Sequence, residues 1–140
     1  MLLRFRIGEK VTGPQYAQSL RWMEGWRHRL RLIFKDVDAL LSPTTPLPAA
    51  MIEGLDFGKA IRAIPRFSSV YPAGGLPSLA VPCGFTADGL PLSLELAGPS
   101  FGEAQILRLG HAFQGVTDHH LKTPRFPGVN PVNFSRGQDS

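Results

Sequence analysis

From Tyr16 onward, apolar residues recur every three or four positions, at Tyr16, Leu20, Met23, Trp26, Leu30, Phe34 and Val37. That period predicts one long helix with a single core-facing stripe. Thr12-Gly13-Pro14 supplies its start: a polar cap, then Pro in the first turn, where a missing N–H costs nothing. Asp36-Val-Asp-Ala-Leu-Leu-Ser follows as a short apolar run suited to a buried strand. Pro43, Pro46 and Pro48 then forbid regular structure. Residues 49–75 carry little periodicity, with at most a short helix around Phe57 to Ile64; a connection of this length often shapes a binding site.

The clearest unit runs from Pro77 to Gly98. Ser78-Leu-Ala-Val-Pro-Cys-Gly-Phe predicts a strand, with Pro82 marking an edge position or a bulge. Asp88-Gly89 is a dipeptide that tight hairpins favour. In Leu92-Ser-Leu-Glu-Leu-Ala the leucines alternate with Ser93, Glu95 and Ala97, one set on each side of a strand. Ser100 and Glu103 have the spacing of a capping box. The helix it would open carries Ile106, Leu109, Phe113 and Val116 on one stripe. Beyond His120 the chain is rich in Pro, Asn and Gly and reads as an extended tail.

Composition narrows the class. The chain has 140 residues, 43% hydrophobic and 19% charged, the profile of one globular domain with a core. Gly (15) and Pro (13) together make one residue in five, so the backbone turns often. The single cysteine, Cys83, excludes an internal disulfide and a multi-cysteine zinc site. Apolar stretches are interrupted within a few residues, so no membrane-spanning helix is expected. Met1-Leu-Leu-Arg-Phe-Arg lacks an apolar core of signal-peptide length, and a cytoplasmic location is the expectation.

The formal charge of +4 is concentrated at the start. Residues 1–36 hold Arg4, Arg6, Lys10, Arg21, Arg27, Arg29, Arg31 and Lys35 against Glu9, Glu24 and Asp36. Such a block can mark a nucleic-acid surface. Here the cations fall mostly off the apolar stripe, with no recognised nucleic-acid motif, and a solvated helix face accounts for them better.

Other reactive-looking residues have structural explanations. Cys83, even with His119 or His120 as a partner, sits in a strand where a lone Cys acts as a small hydrophobe. Adjacent His119 and His120 diverge on any regular backbone and lack a third ligand, so no metal site is expected. His28 belongs to the basic face, and Glu95 and Glu103 to a strand and a cap.

Four segments in order carry a resemblance: Asp38-Ala-Leu-Leu-Ser-Pro-Thr-Thr-Pro, Gly75-Leu-Pro-Ser-Leu-Ala-Val-Pro-Cys-Gly, Asp88-Gly-Leu-Pro-Leu-Ser-Leu-Glu-Leu-Ala-Gly and Phe101-Gly-Glu-Ala-Gln-Ile-Leu. With Gly8-Glu-Lys-Val-Thr-Gly-Pro-Gln-Tyr before them and His111-Ala-Phe-Gln-Gly-Val-Thr-Asp-His-His after, the chain resembles the C-terminal part of amidase-signature enzymes over residues 4–125. The resemblance implies an α/β fold: the edge of a mixed β-sheet flanked by helices, with a β-hairpin. It implies a partial domain over 1–125, with 126–140 as tail. Enzymes of this family hydrolyse amides with a Ser nucleophile, a second Ser in a cis peptide and a Lys base, carried by an upstream Gly/Ser-rich half. This chain has no such stretch, and Lys59 with Ser68 and Ser69 is not that arrangement, so no catalytic residue is assigned. A Ser without a base and an oxyanion site is a poor nucleophile. Where family members place Asn, three residues before the Gly of Gly75-Leu-Pro, this chain has Pro72, which removes an amide and a backbone donor. Tyr71 and Gly74 are the substrate-pocket wall candidates. No cofactor and no metal are implied.

Two functions remain open from the sequence. One is the C-terminal part of a hydrolase acting on carbon–nitrogen bonds, inactive alone, whose small-molecule amide substrate is met only with upstream residues. The other is a non-catalytic binding or assembly module that keeps the edge of the fold. Both imply bare apolar faces, hence self-association or a partner chain. Neither nucleic acid nor membrane is an expected partner.

Overall fold

The computed structural model describes residues 8–124 together with Arg6. The tail expected over 126–140 lies outside the described residues. Helix α1 spans Gly13–Ile33. Its start is a capping box: Gln15 N donates to Thr12 Oγ1, and Thr12 N donates to Gln15 Oε1 at 2.9 Å. Strand β1 is Leu40–Pro43, α2 is Phe57–Ala63, and a 3-10 turn at Ile64–Arg66 leads to α3, Val70–Gly74. Strands β2 (Ser78–Phe85) and β3 (Pro91–Ala97) form the hairpin, and α4 (Glu103–Gly115) precedes a 3-10 turn at His119–Leu121.

The three described strands form an antiparallel sheet in the order β1-β3-β2. Register pairs Ser42 with Glu95, Leu41 with Leu96, Ala80 with Glu95 and Leu79 with Leu96. Strand periodicity therefore puts Leu40, Ser42, Ala80, Ser93, Glu95 and Ala97 on one side and Leu41, Leu79, Val81, Leu94 and Leu96 on the other. Helices cover both. On the first side Leu30, Tyr71, Leu76 and Ala97 form the core, with Trp26, Phe34, Leu40 and Val70 packed on it. On the second, Gly110 of α4 lies against Leu79 and Val81, and Ile106 is buried.

Several expected boundaries shift for identifiable reasons. The strand expected from Asp36 begins only at Leu40, because Lys35 N and Asp36 N close turns onto Leu32 O and Ile33 O. It is half-buried rather than buried, with Leu41 67% exposed. The hairpin loop is wider than a two-residue turn: Thr86 N donates to Leu90 O at 2.9 Å, and Leu90 N donates to Thr86 Oγ1 at 3.0 Å. The irregularity expected at Pro82 is a register shift between Pro82 and Gly84. Ser100 and Glu103 form no capping box, because α4 starts at Glu103 with Gly102 as its cap and no side-chain cap bond.

The pattern of apolar positions does not predict the short helix α3. It ends with Leu76 N on Tyr71 O at 3.1 Å and Gly75 N on Pro72 O at 3.0 Å, with Gly75 left-handed at φ 70°. That is a Schellman closure. Pro72 sits in the first turn, where the missing N–H would have had no intrahelical partner, so Pro is tolerated there. Tyr71 OH donates to Ser42 Oγ at 3.0 Å, and Trp26 Nε1–H donates to Val70 O at 3.1 Å, tying α3 to the sheet and to α1.

Only part of each apolar stripe reaches the core. Leu30 is 1% exposed, but Tyr16 (61%), Leu20 (43%), Leu109 (39%) and Val116 (84%) face outward.

Three stability outcomes follow from this packing. Gly110→Ala drives a methyl into Leu79 and costs about 1–3 kcal/mol, whereas Gly25→Ala on α1 meets no atom within 4 Å and gains about 1 kcal/mol. Urea unfolding of the two variants measures the opposite signs. Tyr71→Phe strips Ser42 Oγ of its donor, and the same measurement yields a loss of about 0.5–1.5 kcal/mol.

Candidate functional site

The α3–β2 turn, the second half of α1 and the approach to α4 enclose a cleft of about 440 Å³, lined by Arg27, Arg31, Gly74–Pro77, Ser100, Phe101 and Glu103. Of the two pocket-wall candidates, Gly74 lines this cleft, and its missing side chain makes room for Leu30 on the far side. Tyr71 does not line it; the residue is 6% exposed and its hydroxyl donates to Ser42 Oγ.

The rim carries the one non-glycine residue with positive φ among the described residues, Phe101 at 62°. Gly102 N donates to Pro99 O at 2.8 Å, closing a turn in which Phe occupies the position Gly ordinarily takes. The conformation is costly for a bulky residue, and the ring is 95% exposed. Arg27 and Arg31 lie one helical turn apart and make no ion pair among the described residues, so with Glu103 the cleft is net cationic. Arg29 lies 5.7 Å from the Trp26 ring centroid, a cation–π stack outside the cleft.

A second region is buried. Glu95, on the central strand, is 5% exposed, and its Oε2 has no hydrogen-bond partner among the described residues. Thr44 Oγ1 is buried and unpartnered in the same way. Glu95 resembles an ordinary strand residue in the sequence because its alternation set, Ser93, Glu95 and Ala97, reads as a solvent side. In the structure Ala97, which shares that side, is 0% exposed, so the side is covered at that point.

The remaining candidates are accounted for locally. Asp56 caps α2 through Gly58 N at 2.9 Å and Lys59 N at 3.1 Å, and Lys59 Nζ lies 3.6 Å from the same carboxylate. Ser68 and Ser69 make no side-chain bond to Lys59 among the described residues. Cys83 sits in the β2 irregularity, partly exposed. The His119 ring meets Phe85 edge-on at 6.3 Å. The carboxyl of Asp118 is held below its ordinary range by the hydrogen bond and charge of Lys122. Among the described residues no three His, Cys, Asp or Glu side chains gather where they could hold a metal, and no helix is long and apolar enough to cross a membrane.

Comparison with known proteins gives this arrangement its context. The glutamyl-tRNA(Gln) amidotransferase A subunit of Bacillus cereus is 40% identical over 123 residues, covering 87% of this chain and 25% of the relative. A solved amidase superposes with a TM-score of 0.70 at 26% identity, over 78% of this chain and 26% of its own. A structure from a vestigial complex bearing on the origins of an s-triazine catabolic enzyme reaches 0.77 at 25% identity, over 86% and 28%. The chain thus spans about a quarter of the length of the curated relatives it matches. The Amidase family model matches residues 2–107, and the chain belongs to that family.

Proposed function

We propose that these residues are the C-terminal part of a hydrolase acting on amide carbon–nitrogen bonds, and that they frame the substrate pocket while other residues supply the Ser–Ser–Lys chemistry. The observation that carries this reading is the family match over residues 2–107; the described side-chain hydrogen bonds of Ser19 and Ser42 run to Gln15 O and from Tyr71 OH, not to a Lys. An unactivated Ser does not attack an amide at a useful rate. In this reading the cleft beside Gly74 is a wall of the substrate pocket, with Tyr71 holding the turn from beneath.

The bare surface supports the same division of labour. Tyr16, Leu20 and Trp22 (58% exposed) on α1, Leu41 on the edge strand, and Val116 after α4 are apolar groups that ordinary monomers cover. Their partners in this reading are the rest of an amidase body or an associated chain; the B. cereus relative is itself named as one component of an amidotransferase.

The decisive comparison is hydrolysis of a panel of primary amides by the 140-residue chain and by the same chain joined to an upstream amidase segment bearing the Gly/Ser-rich stretch. The expected result is turnover by the joined form only. Turnover by the 140 residues alone overturns the proposal, and none by either form favours the assembly module. Light scattering across a dilution series tests the bare surface: association that falls on dilution is expected, and weaker association in a Tyr16→Ser, Trp22→Ser variant. A monomer at every concentration counts against this account of the surface.

A further inference from the structure

We infer that the side of the sheet bearing Glu95 is a binding site for a primary ammonium group. Glu95 occupies the middle strand, paired with Ser42 on one neighbour and Ala80 on the other, and is 5% exposed. Its Oε2 is buried without a partner among the described residues. Leaving an acceptor of this kind dry and unpaired is costly, so native proteins rarely do it without a reason. Thr44 N donates to Ser93 O at 3.2 Å, which extends the β1–β3 pairing by one residue. Strand alternation then places Thr44 on the same side as Ser42, and so as Glu95. Its Oγ1 is the second buried oxygen without a partner. Ser42, directly opposite Glu95, is already engaged by Tyr71 OH. A hollow of about 290 Å³ is lined by Ala80–Pro82 and Pro91–Ser93, of which Ala80 pairs with Glu95 and Ser93 with Thr44.

The chemistry of the oxygens selects the ligand. Both unpartnered atoms can accept, so the missing group is a donor. They lie on different strands, one on a carboxylate and one on a hydroxyl. A guanidinium fork pairs with the two oxygens of one carboxylate, whereas the buried unpartnered oxygens here are one carboxylate oxygen and one hydroxyl oxygen. A hard divalent cation wants several carboxylates, and among the described residues no three His, Cys, Asp or Glu gather. An ammonium group has three diverging N–H donors and one positive charge, which suits a carboxylate oxygen and a hydroxyl oxygen on neighbouring strands. The group comes either from a free alkylamine or from a lysine of a polypeptide segment packed on this side of the sheet. The inference stands apart from amide hydrolysis, since it concerns binding.

The test titrates n-propylammonium chloride into the 140-residue chain and follows the side-chain carboxyl carbon resonance of Glu95, assigned by its loss in Glu95→Gln. Tetramethylammonium chloride, which has no N–H, is the control. A saturable shift with propylammonium and none with tetramethylammonium is expected. Thr44→Val should weaken binding about threefold and Glu95→Gln, followed through backbone amides, at least about tenfold, in line with loss of one neutral and one charged hydrogen bond. Circular dichroism checks that Glu95→Gln is folded; if it is not, Thr44→Val and the cation pair carry the test. Equal responses to the two cations, no saturable shift, or unchanged binding in the folded variants overturns the inference. The joined form described above separates the sources. If it no longer binds propylammonium and its Glu95 resonance already sits at the saturated position, a lysine supplies the group; if it still binds, a free amine does.

Discussion

The fold turns on the seat of one side chain. Leu30 is the residue of α1 that is fully buried, and it lies where α1, α3 and the sheet converge, with Tyr71, Leu76 and Ala97 around it. Burying a leucine contributes about 1.5–3 kcal/mol, but the contact matters more for what it positions. It requires Gly74, since a methyl there would occupy the Leu30 site. Gly74 in turn closes α3, whose Schellman end aims the chain into β2, and the same turn lines the cleft. One packing contact therefore fixes the angle of the long helix, the start of the hairpin and the wall of the candidate pocket. Trp26, one turn earlier, adds a directional bond between α1 and α3, through Val70 O.

The periodic segments could be read from the sequence because their pattern is local. Thr12-Gly13-Pro14 starts α1 as expected, both hairpin strands and the α2 segment lie where expected, and Pro82 marks the irregularity it implied. What failed depends on neighbours distant in sequence. Leu109 and Val116 have helical spacing, but the partner of α4 is a leucine-lined sheet side that admits close approach at Gly110, so the buried line runs through Ile106 and Gly110 instead. The Ser100–Glu103 spacing lost to a turn that holds Phe101 left-handed, which delays the helix. Helix α3 escaped because five residues containing a proline give no period to detect.

The site was less legible than the fold. Family resemblance singled out Tyr71 and Gly74; Gly74 lines a cleft, whereas Tyr71 is buried and does not. Glu95 was hidden by its own alternation. Ser, Glu and Ala between leucines suggest a strand with one wet side, which holds for sheets covered on one face only. Here α1 and α3 pack on that side, so Glu95 is buried and Ser42, Thr44 and Ser93 are partly buried. No count of residues along β3 could reveal that cover; it comes from Leu30, more than sixty residues away in sequence.

The same three-layer arrangement explains why so few residues are deeply buried. Leu30, Tyr71, Leu76, Val81, Ala97 and Ile106 make up the buried apolar set among the described residues, while Met51 (79%), Ile52 (86%), Phe101 (95%) and Val116 (84%) stand in solvent. A sheet of three strands offers each covering helix only a narrow strip, so a helix of 21 residues can dock along part of its length and no further. Widening the sheet would bury Leu41 on the open edge and give the first half of α1 something to lie on. The exposed residues are therefore what this architecture leaves over when its sheet is narrow. The chain spans about a quarter of the length of the curated relatives it matches, and a sheet wider than the three described strands is what its bare apolar residues would need for cover.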